Sequence, residues 1–412
     1  MTSAKNQHSF GGKDAAAVII AVGAVYICIT MGLRQGFGLY LAPFTEMLGI
    51  NRGDFAFAIA MQNIVWGLAS PVFGMLADKR GPVLAAALGG VFYFAGMLLM
   101  AMASSGGALL MAQMLIGAGM AGAGFSVILG AVGKAAKPSR RSFSLAIVSA
   151  AGSLGQFLFV PVAQLGLSTL GARDSLLMLS FAAALLIFFA PLLKTKAQAA
   201  QAAAGVSDFS AKAVLRTALS SRSYVLLLAG FFVCGFQVVF IATHLPAYVA
   251  DAGLSAQAAA NALALVGLFN IAGTMFCGWA GDRFSKKNSL AVFYLCRSAV
   301  IVLFLLAPKS DAAVMLFGAA IGFFWLGTVP LTSGLVAVFF GTRQMSMLYG
   351  VVFVSHQVGS ALGAYSGGAF FDATGSYNAV WFICIALGVL AAVLHYPIVE
   401  KADDAFARRF AT

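Results

Sequence analysis

Twelve long apolar runs follow one another along this chain of 412 residues. Each run is close to the ~20 residues that an α-helix needs to cross the hydrocarbon core of a bilayer. Only helices or closed barrels satisfy the backbone polar groups in lipid, and the runs lack the short alternating pattern of barrel strands. The predicted spans cover residues 15–41, 54–77, 83–103, 108–132, 142–165, 174–193, 223–248, 257–280, 288–307, 312–337, 345–371 and 377–397. The sequence therefore predicts an all-α integral membrane protein with twelve transmembrane helices.

Lysine and arginine are spread unevenly over the loops between these runs. When both termini and every second loop are assigned to one side, that side holds twenty basic residues, and the other side holds Arg52, Arg173 and Lys309. Cytoplasmic loops of membrane proteins carry such an excess. We therefore expect both termini to be cytoplasmic and the membrane to be a bacterial inner membrane. The net charge of +12 then reflects loop placement and does not indicate a nucleic-acid partner.

Two loops of similar sequence lie about half the chain apart. Residues 74–81 read GMLADKRG and residues 278–287 read GWAGDRFSKK, so that Asp78 and Asp282 are separated by 204 residues. Span one resembles span seven, and span five resembles span eleven, at a similar offset. The sequence therefore predicts a parallel repeat of six helices.

The repeat divides the chain into three predicted segments. The first half covers residues 1–193, a cytoplasmic linker covers 194–222, and the second half covers 223–412. Within the linker, the Ala/Gln-rich stretch 197–205 is typical of a flexible connection, and residues 212–222 predict a short basic surface helix.

In its span count and loop motif the chain resembles transporters of the major facilitator superfamily. The loop 74–81 is similar to that family's Gly-x-Leu-Ala-Asp-Arg-x-Gly signature after helix two, with Lys79 in place of the usual arginine. The resemblance covers essentially the whole chain and implies the major facilitator fold. It also implies that the motif residues form a cytoplasmic gate that holds the two halves together; the alternative is a solvated loop that only orients the chain. The gate residues are Gly74, Asp78, Arg80 and Gly81, with Asp282 and Arg283 in the second copy.

Within the superfamily, Arg34 in span one and residues 144–155 in span five resemble the monocarboxylate and oxalate/formate porters. The chain departs from both branches, because the basic residues that they carry in helices eight and eleven are absent. Span eight offers Asn270 and Thr274 instead, and span eleven offers His356. The identity of the substrate therefore does not follow from the resemblance.

Two arginines stand inside the predicted spans without an acidic residue near them in the sequence. All 13 acidic residues fall in loops, termini or span ends. A buried cation in a membrane is costly and tends to mark a pathway or a pair. The guanidinium of Arg34 matches a carboxylate in shape, which predicts an anchor for an anion; the alternative is a structural arginine. For Arg297 in span nine, a structural bond to a carbonyl or a neighbouring helix is the preferred interpretation.

Other polar residues at mid-span complete the predicted substrate site. Tyr26 and Thr30 share a helical face with Arg34, and Gln237 is the repeat counterpart of Arg34 in span seven. Each of these residues has an alternative role in helix packing. The predicted substrate-binding residues are Arg34, Tyr26, Thr30, Gln237, Asn270 and His356. His356 and His244 are the candidates for proton coupling, because histidine titrates near neutral pH.

These features predict a carrier of a small organic anion rather than an enzyme. An inside-negative potential opposes anion uptake, so we expect proton-coupled symport by alternating access, with His356, His244 or the substrate carrying the proton. Anion/anion antiport and proton-driven export of drugs or metabolites are the alternatives. Besides the anion and H+, the lipid bilayer is the expected partner. A monomer suffices, and no catalytic residue, metal site or cofactor is predicted.

Overall fold

A computed structural model of the chain describes residues 12–50, 52–194 and 210–410, and the regular structure in these ranges is helical. Within these ranges, twelve helical stretches are long and apolar enough to cross a membrane, which confirms the predicted number. Spans one to twelve cover Ala16–Tyr40, Phe57–Arg80, Pro82–Ala101, Gly106–Ala135, Pro138–Ala163, Leu165–Leu193, Arg222–Leu245, Asn261–Arg283, Lys286–Leu306, Asp311–Phe340, Met345–Phe371 and Asn378–His395. The predicted flexible stretch 197–205 lies outside the described residues.

Most spans are single α-helices. Their bounds are Gly12–Gln35, Arg52–Arg80, Pro82–Ala101, Arg222–Asp251, Ala256–Arg283, Lys286–Leu306, Met345–Thr374 and Asn378–His395. Spans five and six follow one another in the helical stretch Arg141–Phe189, which bends at Gly171, where φ is 81°. Short helices adjoin these spans at Phe37–Tyr40, Leu41–Leu48, Pro138–Arg140 and Ala190–Leu193.

Spans four and ten are each broken into two helices. Span four consists of Gly106–Ala123 and Phe125–Ala135, with the extended residue Gly124 between them. Span ten consists of Asp311–Phe323 and Thr328–Phe340. A break frees backbone polar groups inside the membrane, and these groups need partners from neighbouring spans.

We call spans one to six the N-terminal half and spans seven to twelve the C-terminal half. Within the halves, span one packs on span five and span three on span four; span seven packs on span eleven and span eight on span ten. Two seams join the halves, one between spans two and eleven and the other between spans five and eight. This is the predicted fold of two six-helix repeats.

Two surface helices lie at the ends of the C-terminal half. The linker helix Ala211–Leu219 overlaps the predicted basic segment 212–222, and it packs on the C-terminal helix Asp404–Phe410. Phe406 is buried, and its ring lies 4.6 Å from that of Phe340 in span ten. The two helices therefore cover the end of span ten.

Candidate functional site

The carboxylate of Asp78 joins the N-terminal half to the start of span eleven. It accepts hydrogen bonds from the backbone amides of Ser346 (3.3 Å) and Met347 (2.8 Å), where the helix Met345–Thr374 begins. The ammonium of Lys134 lies 2.7 Å from the same carboxylate. A helix N-terminus presents free N–H groups and a partial positive charge, so it favours a negative side chain. Asp78 is 4% exposed, which shields these contacts from water.

Asp282 makes the corresponding contact in the reverse direction. Its carboxylate accepts from the backbone amides of Ser142 (2.9 Å) and Phe143 (3.0 Å), at the start of span five. Ser142 and Ser346 are 204 residues apart, as are Asp78 and Asp282. Each half therefore supplies one carboxylate to a helix N-terminus of the other half. We call the side of the molecule with these contacts the motif side and the other side the opposite side.

The remaining motif residues divide into glycines at close contacts or turns and exposed arginines. A Cβ on Gly74 would lie 2.3 Å from the backbone oxygen of Ser346, so only glycine permits this approach of spans two and eleven. Gly81 has a φ of 91°, which favours glycine, at the turn into span three. Arg80 is exposed, and Arg283 is exposed with its guanidinium 5.0 Å from the ring of Trp279.

Spans five and eight are in close contact on the motif side, and the distance between them grows toward the opposite side. A Cβ on Gly278 would lie 2.3 Å from the Cβ of Ala146, whereas one on Gly267 would meet only the Gln156 amide, at 3.8 Å or more. Between these levels, the Asn270 amide donates to the Ser153 hydroxyl across the seam at 2.6 Å. The halves are thus in close contact on the motif side and further apart toward the opposite side along this seam.

Arg34 lies in the last turn of the helix Gly12–Gln35, next to span two, and it is half-buried. One of its amino groups donates to Asn63 Oδ1 at 2.7 Å, and its guanidinium carbon lies 5.4 Å from the Trp66 ring centroid. Its Nε is buried without a hydrogen-bond partner among the described residues. Guanidinium has five N–H donors, so most of its donor capacity is free for an acceptor.

An aromatic series leads from Arg34 across the first seam to His356. The Trp66 ring lies 4.7 Å from that of Phe353 on span eleven, and Phe353 stacks on His356 with centroids 5.3 Å apart. His356 is buried, and its Nδ1 lies 3.4 Å from the Ser360 hydroxyl. The structure therefore connects two of the predicted site residues, one from each half, through two aromatic rings.

Tyr26 and Thr30 point into the N-terminal half, although they share a helix with Arg34. Both are fully buried. The Tyr26 hydroxyl donates to the carbonyl of Leu186 in span six, and the Thr30 hydroxyl donates to the carbonyl of Tyr26 at 2.8 Å. In this conformation both hydroxyls have helix partners, and their role in binding a substrate stays a prediction.

The repeat predicts that Gln237 faces Arg34, but its side chain contacts Arg297 instead. Its amide oxygen accepts from Arg297 at 3.0 Å, and its amide nitrogen donates to the carbonyl of Cys384 at 2.7 Å. Arg297 is fully buried and also donates to the carbonyls of Phe324 (2.5 and 3.1 Å) and Trp325 (2.6 Å). These carbonyls lie at the break in span ten, so Arg297 satisfies backbone groups that the break leaves free. These bonds to carbonyls and to a neighbouring helix are the ones expected of a structural arginine, which is the interpretation preferred for Arg297 from the sequence.

Asn270 joins three helices at the second seam. Besides its bond to Ser153 in span five, its amide oxygen accepts from the Thr274 hydroxyl and from the Leu326 amide, both at 3.0 Å. The Leu326 amide is another group released by the break in span ten. Asn270 thus has protein partners on both sides of its amide, and its role as a substrate ligand stays a prediction.

His244 lies on span seven, away from the Arg34–His356 series. It is half-buried, and its Nε2 lies 2.8 Å from the carbonyl oxygen of Ala364. Its ring packs near Phe240 and Tyr377 at centroid distances of 5.5 and 5.4 Å. Its part in proton coupling stays a prediction. The described residues contain no group of three or more His, Cys, Asp or Glu side chains placed to hold a metal ion.

Sequence reasoning named Asn63 only as a further candidate for the cavity lining, and it did not assign Phe353 or Lys134 to the site. Phe353 precedes His356 by three residues, so helical spacing places it beside a predicted site residue. Lys134 appeared only as one of many basic loop residues, and no pattern connected it with Asp78. The start of span eleven could have been identified from the sequence, because the 204-residue offset of the repeat relates Ser346 to Ser142.

The fold and site define a polytopic membrane carrier with two six-span halves around a polar centre. The chain belongs to the Major Facilitator Superfamily, whose sequence profile matches residues 20–363 and 262–411. It is similar to an uncharacterized MFS-type transporter, YcxA, of Bacillus subtilis, with 24% identity over 89% of this chain and 91% of that protein. The family and the recognised resemblance are thereby confirmed.

Monocarboxylate transporters are also among its relatives. Monocarboxylate transporter 13 of Bos taurus is 24% identical over 89% of this chain and 87% of its own length. Monocarboxylate transporter 12 of Homo sapiens is 24% identical over 90% of this chain and 77% of its own length. Among solved structures, the fold is similar to the fucose:proton symporter FucP in the outward conformation, with a TM-score of 0.66, 18% identity and coverage of 92% and 99% of the two chains.

Proposed function

We propose that this transporter carries a small organic anion of the monocarboxylate type by alternating access and couples its uptake to a proton. The observation that carries the proposal is the unused donor capacity of Arg34 beside Asn63 and Trp66. Within the described residues no carboxylate forms an ion pair with Arg34. A buried donor without an acceptor is costly, and a substrate carboxylate would supply the missing partner.

The surroundings of Arg34 suit a short anion with an apolar portion. The carboxylate would meet the guanidinium, and the apolar portion would lie against the rings of Trp66 and Phe353. These rings come from different halves, so one small molecule would contact both. The names of the monocarboxylate transporters to which the chain is similar support the same class of substrate.

Alternating access would proceed by release of the two carboxylate–helix contacts. The contacts of Asp78 and Asp282 hold the motif side closed, which corresponds to an outward-facing state if that side is cytoplasmic. Rocking of the halves around a midplane site would break both contacts and open the motif side. The substrate would then leave from the same central position that it entered.

A proton would make the uptake of a monoanion electroneutral. Moving one negative charge inward against the membrane potential costs about 2.3 kcal/mol per 100 mV. His356 is the candidate carrier that the structure connects to Arg34 through Phe353 and Trp66. The protonated carboxylic acid is the second possible carrier, because it is itself neutral.

Uptake into proteoliposomes tests the anion site. Purified protein is reconstituted and given labelled lactate or pyruvate with an inward proton gradient, using wild type, Arg34→Gln and Arg34→Lys. We expect saturable uptake by wild type and a loss of apparent affinity of about tenfold to a hundredfold in Arg34→Gln, as for one or two charge-assisted hydrogen bonds. Arg34→Lys keeps the charge without the fork and should be intermediate. Unchanged uptake by Arg34→Gln would refute the anchor.

Counterflow separates symport from exchange. Vesicles loaded with unlabelled anion are diluted into labelled anion, with and without a proton gradient. A proton-coupled symporter should also take up labelled anion into empty vesicles, and a proton ionophore should abolish the accumulation that the proton gradient drives. An obligatory exchanger would show labelled uptake only into loaded vesicles, and that result would replace symport by antiport.

A further inference from the structure

A cavity of about 530 Å³ lies on the opposite side of the C-terminal half. It is lined by the ends of spans seven, nine and eleven and by the start of span twelve, and among the described residues its wall comes from the C-terminal half alone. We call it the outer cavity. Its polar residues include Tyr248, Asp251, Lys309 and Asn378. It is therefore separate from the Arg34 site and needs an explanation of its own.

The polar wall of the outer cavity has one basic and one acidic pole. Lys309 donates to the Tyr248 hydroxyl and lies 4.4 Å from that ring's centroid. Asp251 is the last residue of the helix Arg222–Asp251, at the negative end of the helix dipole. In the described part of the chain, no ion pair joins Lys309 to Asp251. The two charges thus remain available to two opposite charges of one ligand.

The start of span twelve adds to the basic pole. Asn378 begins the helix Asn378–His395; its amide donates to the Ser376 hydroxyl at 3.2 Å, and the amides of Val380 and Trp381 donate to the Tyr377 carbonyl. A helix N-terminus carries a partial positive charge that favours phosphate. Together with Lys309, it gives this wall of the cavity two features that favour an anion.

The remaining wall is apolar and continues onto the lipid-facing surface. Leu306 and Phe382 line the cavity and are 78% and 64% exposed, and Val302 is 36% exposed. In a membrane-spanning helix, exposed apolar side chains face acyl chains. The outer cavity therefore opens sideways toward the bilayer, at the level where span ends and their tyrosines meet lipid head groups.

We propose that the outer cavity binds a zwitterionic aminophospholipid of the phosphatidylethanolamine class. The phosphate would lie at Lys309 and the start of span twelve, the primary ammonium at Asp251, and an acyl chain against Leu306 and Phe382. Among the described residues of the wall, one basic side chain (Lys309) stands with one acidic side chain (Asp251), which favours a zwitterion over an anionic lipid. The carboxylate of Asp251 favours an ammonium that donates hydrogen bonds over a quaternary ammonium, which has no N–H.

A lipid-binding measurement tests this assignment. Full-length protein in mild detergent is titrated with phosphatidylethanolamine, phosphatidylcholine or phosphatidylglycerol of identical acyl chains, and bound lipid is counted by native mass spectrometry and by the rise in melting temperature. We expect phosphatidylethanolamine to bind about tenfold more tightly than phosphatidylcholine, as for one charge-assisted hydrogen bond. Equal binding of the two lipids, or tighter binding of phosphatidylglycerol, would overturn the assignment. An equal shift with soluble phosphoethanolamine would overturn the lipid as the occupant.

Variants locate the binding at the outer cavity. Asp251→Asn should abolish the preference for phosphatidylethanolamine over phosphatidylcholine, and Lys309→Met should weaken both lipids. Asp174→Asn and Arg173→Met change exposed charges in the N-terminal half and serve as matched controls that keep the preference. A preference that survives Asp251→Asn refutes the site. None of these readouts depends on anion transport, so the result is independent of the proposed function.

Discussion

At the scale of single residues, the two arginines within the membrane show how partners decide a role. Arg297 is fully buried and donates to two backbone carbonyls and the Gln237 amide. Arg34 is half-buried and has one protein acceptor, Asn63. The two side chains carry the same charge, but they differ in burial and in the number of their partners. Arg297 is thus suited to hold the fold together, and Arg34 to receive a ligand.

Replacement of Arg297 should therefore affect stability more than affinity. Arg297→Met leaves the carbonyls of Phe324 and Trp325 and the Gln237 amide oxygen buried without a donor, at about 1–3 kcal/mol for each group. We expect a drop in melting temperature on the order of 5 °C or more, measured in detergent, with a matching loss of yield. Arg34→Met, which removes one hydrogen bond, serves as the control and should melt closer to wild type. A larger loss in Arg34→Met would contradict this division of roles.

His356 and His244 give opposite expectations for proton coupling. His356→Gln should abolish the stimulation of uptake by a proton gradient and preserve counterflow, because exchange of the loaded carrier needs no net proton movement. His244 lies outside the aromatic series and has a backbone partner, so His244→Gln should keep the stimulation. Uptake and counterflow in the same proteoliposomes measure both effects. Stimulation that persists in His356→Gln would leave the substrate's own carboxylic acid as the proton carrier.

At the scale of helices, the closed motif side depends on two carboxylates placed at helix N-termini of the other half. Removal of one charge should favour the open state. Asp78→Asn replaces charge-assisted bonds to Ser346 and Met347 by weaker neutral ones, and we expect the ratio of open to closed molecules to rise about fivefold to tenfold. Distances between spin labels at the exposed positions Ser139 and Asn288, one in each half, would report this change.

Asp311→Asn is the matched control for this experiment. The Asp311 carboxylate accepts from the Ser255 amide at 3.3 Å, which is also a carboxylate contact to the start of another helix. Asp311 and Ser255 belong to the same half, so the control should leave the distance distribution unchanged. An equal rise in the ratio of open to closed molecules in both variants would show that the effect of Asp78→Asn is not specific to closure of the motif side.

The sequence predicted the helices better than the contacts between them. Span number follows from run length, because bilayer thickness fixes how many apolar residues are needed. The breaks in span four at Gly124 and in span ten at residues 324–327 do not follow from run length, because both spans are continuous apolar runs in the sequence. The sequence also did not predict that the Gln237 side chain contacts Arg297 and not Arg34. Which neighbour a side chain meets depends on how helices rotate against each other, and that results from many packing contacts together.

At the scale of the whole molecule, the distribution of charge and the placement of the motif contacts are related. The predicted basic side includes the ends of spans two and eight. There, Asp78 and Asp282 bind helix N-termini of the other half and hold the motif side closed. Positive charge there orients the chain during insertion, while the two aspartates use the starts of helices as partners. Both features predict that the closed side faces the cytoplasm.

Reporter fusions test this orientation for the whole chain. Twelve spans place both termini on one side, so a green fluorescent protein fused after Thr412 should fluoresce in bacterial cells, and alkaline phosphatase at the same point should be inactive. A fusion after Lys309, between spans nine and ten, should give the reverse pattern. Since Lys309 also lines the outer cavity, the second fusion assigns that cavity to the outer leaflet. Active phosphatase after Thr412 would invert the molecule, and the state closed by Asp78 and Asp282 would then face inward.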